Sequence, residues 1–120
     1  MDVVIDRLKE DPRDASVEFV ECKGHGHPDT ICDLVCENAG NALAAYYRKR
    51  FGRVLHYNID KALLVAGTAI PKWRGGKVVK PAKLIIAGRA TAKVGTSPIP
   101  VKRIVQESAR KTLSRFKRAR

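Results

Sequence analysis

The chain has 120 residues, a formal net charge of +12, 44% hydrophobic residues and 30% charged residues. That length suits one small domain with a real core, and the composition lies in the globular range, which excludes wholesale disorder. No window approaches the roughly 20 apolar residues of a transmembrane helix, residues 1–6 lack a signal peptide's basic and apolar regions, and three cysteines do not make a disulfide framework. A reducing, cytoplasmic setting is expected.

The charge is unevenly placed. Residues 1–47 carry four basic and ten acidic residues, a balance of −6, whereas residues 48–120 carry twenty basic and two acidic, a balance of +18. A basic half attracts polyanions such as nucleic acid, an anionic surface or a nucleotide triphosphate. It serves equally as a solvated surface or as a face for an acidic partner.

In chain order, Val3-Val4-Ile5 reads as a short first strand, and Asp11-Pro12 as a turn inside the polar stretch Lys9 to Ser16. Val17 to Cys22 reads as a second strand. Lys23-Gly24-His25-Gly26-His27 is a glycine-relaxed loop. Pro28 then opens a helix at the position where its missing amide hydrogen is harmless. Asp29 and Asp33 place negative charge near its start, and Arg48-Lys49-Arg50 with Gly52 mark its end. Ile31, Val35, Ala39, Ala42 and Tyr46 form the predicted buried stripe, and Gly40 marks close packing.

Val54 to Ile59 and Lys61 to Ile70 are predicted strands, followed by a loop over Pro71 to Gly76. Lys77 to Val79 and Lys83 to Thr91 are further strands, and Gly95 to Pro100 is a loop. Val101 to Phe116 is a second helix that buries Val101, Ile104, Val105, Ala109, Thr112, Leu113 and Phe116, before a frayed basic tail at 117–120. The predicted order is β-β-α-β-β-β-β-α. It implies an α+β fold, a mostly antiparallel sheet with helices packed on one face, in a single segment over 1–120.

Chemistry concentrates between Cys22 and Asp33. A glycine-rich turn delivers His27 to a helix mouth, and Asp29, Asp33 and Glu37 follow at intervals of four on one helix face. One or two such carboxylates with phosphate oxygens can hold Mg²⁺, and a helix N-terminus favours phosphate. His27 can donate a hydrogen bond to a leaving phosphate oxygen. The same acids also serve simply to cap the helix dipole. Cys22, His25, His27, Cys32 and Cys36 form a rival zinc-ligand set. Buried, inert thiols are the preferred reading of these cysteines.

Gly26-His27-Pro28-Asp29-Thr30-Ile31-Cys32-Asp33 resembles the N-terminal motif of the archaeal type of methionine adenosyltransferase (S-adenosylmethionine synthetase). The likeness extends through Val17 to Gly24, Phe51 to Lys61, Leu64-Val65-Ala66-Gly67, the Gly75-Gly76 turn, Gly88-Arg89-Ala90-Thr91 and Ile99-Pro100-Val101, in order. The resemblance implies one of roughly three similar domains of an enzyme that joins ATP and methionine with Mg²⁺ and K⁺, working as a dimer or larger assembly. It implies His27 as the catalytic residue at the triphosphate, Asp29 as an Mg²⁺ ligand with Glu21 and Asp33 as weaker candidates, and Gly26 in the substrate turn. His25, Thr30, Tyr57, Arg74 and Ala82-Lys83 depart from the archaeal pattern. The family's enzyme is longer and draws its cationic clamp on triphosphate from sequence not found here, so this chain is expected to be inactive alone. A truncated relative acting as a basic nucleic-acid-binding module, or as a regulatory subunit of a larger synthetase, is the other reading. Trp73, Tyr46 and Tyr47 do not compose a stacking platform for bases.

Overall fold

The longest element is set by its two ends. The computed structural model describes residues 3–7, 9 and 11–116, and in it helix α1 spans Pro28–Phe51. His27 caps it in extended conformation, and Pro28 follows as the first helical residue. Gly52 closes it in the left-handed region (φ 72°), and its amide donates to the Arg48 carbonyl. Arg48, Lys49 and Arg50 complement the dipole in the last turn.

Six strands follow: β1 (Tyr57–Val65), β2 (Thr68–Lys72), β3 (Gly75–Lys80), β4 (Lys83–Ala90), β5 (Lys93–Val94) and β6 (Ser97–Pro98). Helix α2 (Val101–Leu113) ends the described fold. A 3-10 turn at Pro12–Asp14 stands where a turn was expected. Among the described residues all strand pairing is antiparallel, as three two-stranded sheets: β1 with β4, β2 with β3, and β5 with β6. The architecture is α+β as predicted, with α1 and α2 on one face of the β1–β4 pair.

That face holds the core in two clusters. Ile31, Val35 and Ala109 are buried together with Leu64, Leu84, Ile86, Leu113 and Phe116 packed around them. Leu43, Tyr47 and Ile99 form the second, against Tyr57, Ile59, Ala90, Ile104 and Val105 among others. The Tyr47 hydroxyl donates to the Thr91 carbonyl at 2.9 Å, and burial pushes its phenol above the ordinary pKa. Gly40 does mark close packing: a Cβ there would lie 3.1 Å from Cε2 of Tyr57. Tyr57 is therefore a packing residue, with its ring centroid 6.3 Å from that of Tyr47.

Several predicted elements differ. Val3–Ile5 and Val17–Cys22 form no strand, and Phe19 is 94% exposed. Their composition suits β structure, but a strand needs a paired neighbour, and none of the described strands pairs with them. The strand expected over 54–59 and the one over 61–70 are instead one strand, β1, and the start of another, β2, parted at Ala66-Gly67. Pro71 and Lys72 belong to β2 rather than to a loop, which leaves a two-residue turn at Trp73-Arg74. The proline is tolerated because β2 pairs on one side only. The predicted loop over Gly95 to Pro100 contains β6, and α2 stops at Leu113 rather than Phe116.

The buried stripe of α1 runs through Leu43 and Tyr47, with Ala42 and Tyr46 only half-buried. A row advancing by four residues throughout wins over the predicted step of three, because α1 packs against both the sheet and α2. The basic tail at 117–120 lies outside the described residues.

Candidate functional site at the start of the first helix

The turn that enters α1 is tied down by three short contacts. The His27 amide donates to the Gly24 carbonyl at 3.0 Å, closing a tight turn over Gly24 to His27. The Asp29 amide donates to Nδ1 of His27 at 3.1 Å, satisfying one of the helix's otherwise unpaired first amides. Lys23 Nζ donates to Oδ2 of Asp29 at 2.8 Å. Lysine and carboxylate thus clasp the loop across the helix mouth.

These contacts define the chemistry of each group. A ring nitrogen that accepts a hydrogen bond carries no proton, so neutral His27 holds its proton on Nε2, which is left to donate elsewhere. The Lys23 bond, with its charge, holds the Asp29 carboxyl below the ordinary carboxylate range. Asp29 in turn pushes Lys23 upward. His27 and Asp29 remain accessible, with side chains 43% and 58% exposed.

The other predicted site residues are not drawn in. Asp33 and Glu37 are exposed along the helix, and Glu37 accepts from Asn41 Nδ2 at 3.1 Å. Glu21 and Gly26 are exposed in the irregular entry segment. Among the described residues, no three His, Cys, Asp or Glu side chains converge to hold a metal ion. Asp33 and Glu37 thus stand apart from the Lys23–Asp29 bond. The zinc-ligand set is likewise not assembled. Cys32 and Cys36 are buried, as inert thiols should be, and burial pushes the Cys36 thiol up. Cys22 departs from that expectation because it is exposed.

Asp29 does suit a hard divalent cation of the kind that takes one carboxylate and completes its shell with phosphate oxygens and water. Oδ2 already seats the Lys23 ammonium, so the carboxylate is aimed where a cation can approach. Sequence reasoning left Lys23 as a loop residue. The signal for its role is its position six residues before Asp29 across a glycine-containing turn.

Two hollows among the described residues lie away from His27 and Asp29. A hollow of about 910 Å³ between β4 and the start of α2 includes neither His27 nor Asp29. A second, of about 500 Å³, reaches the first turn of α1 only at Ile31. Among the other departures from the family pattern, Arg74 adopts φ 63° at the second residue of the β2–β3 turn. Glycine is the usual residue at that geometry. Tyr47 is fully buried, which removes it from any stacking surface for bases.

Fold and turn together define an α+β chain with a histidine-capped, lysine-clasped helix entry. The profile of the S-adenosylmethionine synthetase (AdoMet synthetase) family matches residues 1–119, and the chain belongs to that family. It is 50% identical over 97 residues to the S-adenosylmethionine synthase of Haloarcula marismortui, covering 81% of this chain and 24% of that protein. It is 48% identical over 98 residues to the S-adenosylmethionine synthases of Saccharolobus islandicus and Saccharolobus solfataricus, covering 78% of this chain and 24% of each. The chain thus spans about a quarter of the length of the curated relatives it matches. No helix among the described residues is long and apolar enough to cross a membrane.

Proposed function

We propose that this chain supplies the His27–Asp29 part of a methionine adenosyltransferase that forms S-adenosylmethionine from ATP and methionine, in the cytoplasm and within a dimer or larger assembly. The observation that carries this reading is the helix entry itself, in a chain of the synthetase family. One donor, Nε2–H of His27, and one cation-seeking carboxylate, Asp29, stand exposed side by side at a helix N-terminus.

In the reaction the methionine sulfur attacks the ribose C5′, the C5′–O bond breaks, and triphosphate leaves to be hydrolysed to phosphate and diphosphate. No enzyme nucleophile is needed. His27, with Nδ1 committed to the helix amide, directs its Nε2–H to the leaving oxygen, where negative charge grows. The first turn of α1 adds its dipole to the same charge. Asp29 would hold Mg²⁺, which supplies charge neutralisation of the phosphate oxygens.

These groups alone do not clamp a triphosphate, which takes several cations converging at once. The exposure of His27 and Asp29, and their separation from the larger hollow, support a site completed by the rest of a synthetase. The test is to incubate the purified chain with ATP, methionine, Mg²⁺ and K⁺, alone and together with the remainder of a family synthetase. S-adenosylmethionine is expected only in the complemented mixture, and His27→Ala should abolish most of it while sparing nucleotide binding. Sustained synthesis by the chain alone, or full activity of His27→Ala, refutes the reading.

A further inference from the structure

The proposed chemistry uses His27 and Asp29 and gives Lys23 no task. Yet the Lys23–Asp29 bond, at 2.8 Å, is shorter than the other two contacts of the turn. We propose that Lys23 is a positioning residue that fills the cation seat on Asp29 while the turn is empty, and moves to a phosphate oxygen when a divalent cation takes that seat. This inference rests on the reading of Asp29 as the cation-binding carboxylate.

Three observations carry it. First, the seat is shared: Lys23 Nζ contacts Oδ2, and a divalent ion on either oxygen of the same carboxylate brings two cations within a few ångströms. Second, the pair is exchangeable. Its side chains are 46% and 58% exposed, so no packing locks either one. Third, the ammonium has reach and little else to hold. It sits on a flexible four-carbon stem with three rotatable donors, next to Gly24. The charged groups that act on it are Asp29 and, more weakly, Asp33 further along the helix. A released Lys23 therefore remains at the helix mouth, where a polyphosphate would accept it. In the empty state its bond holds the carboxylate in place and keeps the Gly24–His27 turn folded over the helix.

The test has two arms of opposite sign on the full 120-residue chain. Binding of Mn²⁺ alone, read by electron paramagnetic resonance, should tighten about two- to fivefold in Lys23→Gln, because the ion no longer competes with an ammonium. Binding of tripolyphosphate in the presence of Mn²⁺, read by calorimetry, should weaken by about the same factor. Lys23→Arg should restore both toward the parent values. Far-UV circular dichroism should show α1 unchanged in every variant. Asp29→Asn separates the two ideas. If Asp29→Asn binds Mn²⁺ like the parent, or the parent binds none, the reading of Asp29 itself fails and this inference with it. If Asp29→Asn loses the ion but Lys23→Gln shifts neither arm, or shifts both in the same direction, the exchange role of Lys23 alone is overturned.

Discussion

Replacing Tyr47 with phenylalanine removes a single oxygen from the centre of the second core cluster. The ring is fully buried, and its hydroxyl donates to the Thr91 carbonyl at 2.9 Å. Thr91 also ties to His56 through its amide and its hydroxyl, each at 3.0 Å to the same carbonyl, so the bond joins α1 to the two chain segments that flank one end of the β1–β4 pair. Phenylalanine keeps the packing against Tyr46 and Tyr57 but leaves the half-buried Thr91 carbonyl without this donor. A buried hydrogen bond contributes about 0.5–1.5 kcal/mol net, and a stranded acceptor costs about 1–3 kcal/mol. Some of that is returned because the phenol no longer has to be desolvated, so a loss of about 1–2 kcal/mol is expected. With a urea dependence of about 1.5 kcal/mol/M for a chain of this size, the unfolding midpoint should fall by about 1 M. The control is Tyr46→Phe, whose hydroxyl has no hydrogen-bond partner among the described residues and which should move the midpoint far less. Equal midpoints for Tyr47→Phe and the parent, measured by circular dichroism in urea, would refute the assignment of this bond as the tie between helix and sheet.

Other outcomes follow from the same structure. Leu43→Ala opens a cavity at a fully buried position and should cost about 3 kcal/mol by the same urea assay. Arg74→Gly relieves a left-handed backbone position and should raise stability by about 0.5–1 kcal/mol; a loss instead would mean that the Arg74 side chain contributes contacts that outweigh the strain. A thiol reagent at neutral pH should label Cys22 quickly and Cys32 and Cys36 only after denaturant, with peptide mapping to locate the label. The Asp29 carboxyl, followed by carbon NMR, should titrate below the ordinary carboxylate range and return toward it in Lys23→Gln. Because the folded-state value is depressed, the pair's contribution is present at neutral pH and is lost as pH falls through that value.

What the sequence revealed was what is decided locally. Pro28 and Gly52 bound α1 because a ring without an amide hydrogen and a residue tolerant of positive φ act within one turn of chain. The turn that carries His27 and Asp29 was legible for the same reason, since a helix mouth is a local structure. The strands were harder. Val17, Phe19 and Val20 have the composition of a strand, but pairing is decided by distant chain, and no described strand meets them. Pro71 looked like a breaker, yet it sits in a ribbon whose outer edge needs no donor. The Lys23–Asp29 bond was hidden because it depends on a turn folding back.

Strand β1 carries one residue too many for its partner. From Asn58 to Lys61 it advances three positions while β4 moves only two, from Arg89 to Ala87. That bulge includes Ile59, which belongs to the cluster around Leu43 and Tyr47, and precedes Leu64, which belongs to the cluster around Ile31 and Val35. It is a seam across the ladder, and a seam lets the two halves open separately. Amide exchange should accordingly show two protection levels, with faster exchange on the Ile31 side, where fewer partly buried hydrophobics pack around the buried ones. The helix entry with His27 rides on that looser half, so it can reshape while the Tyr47 half stays shut.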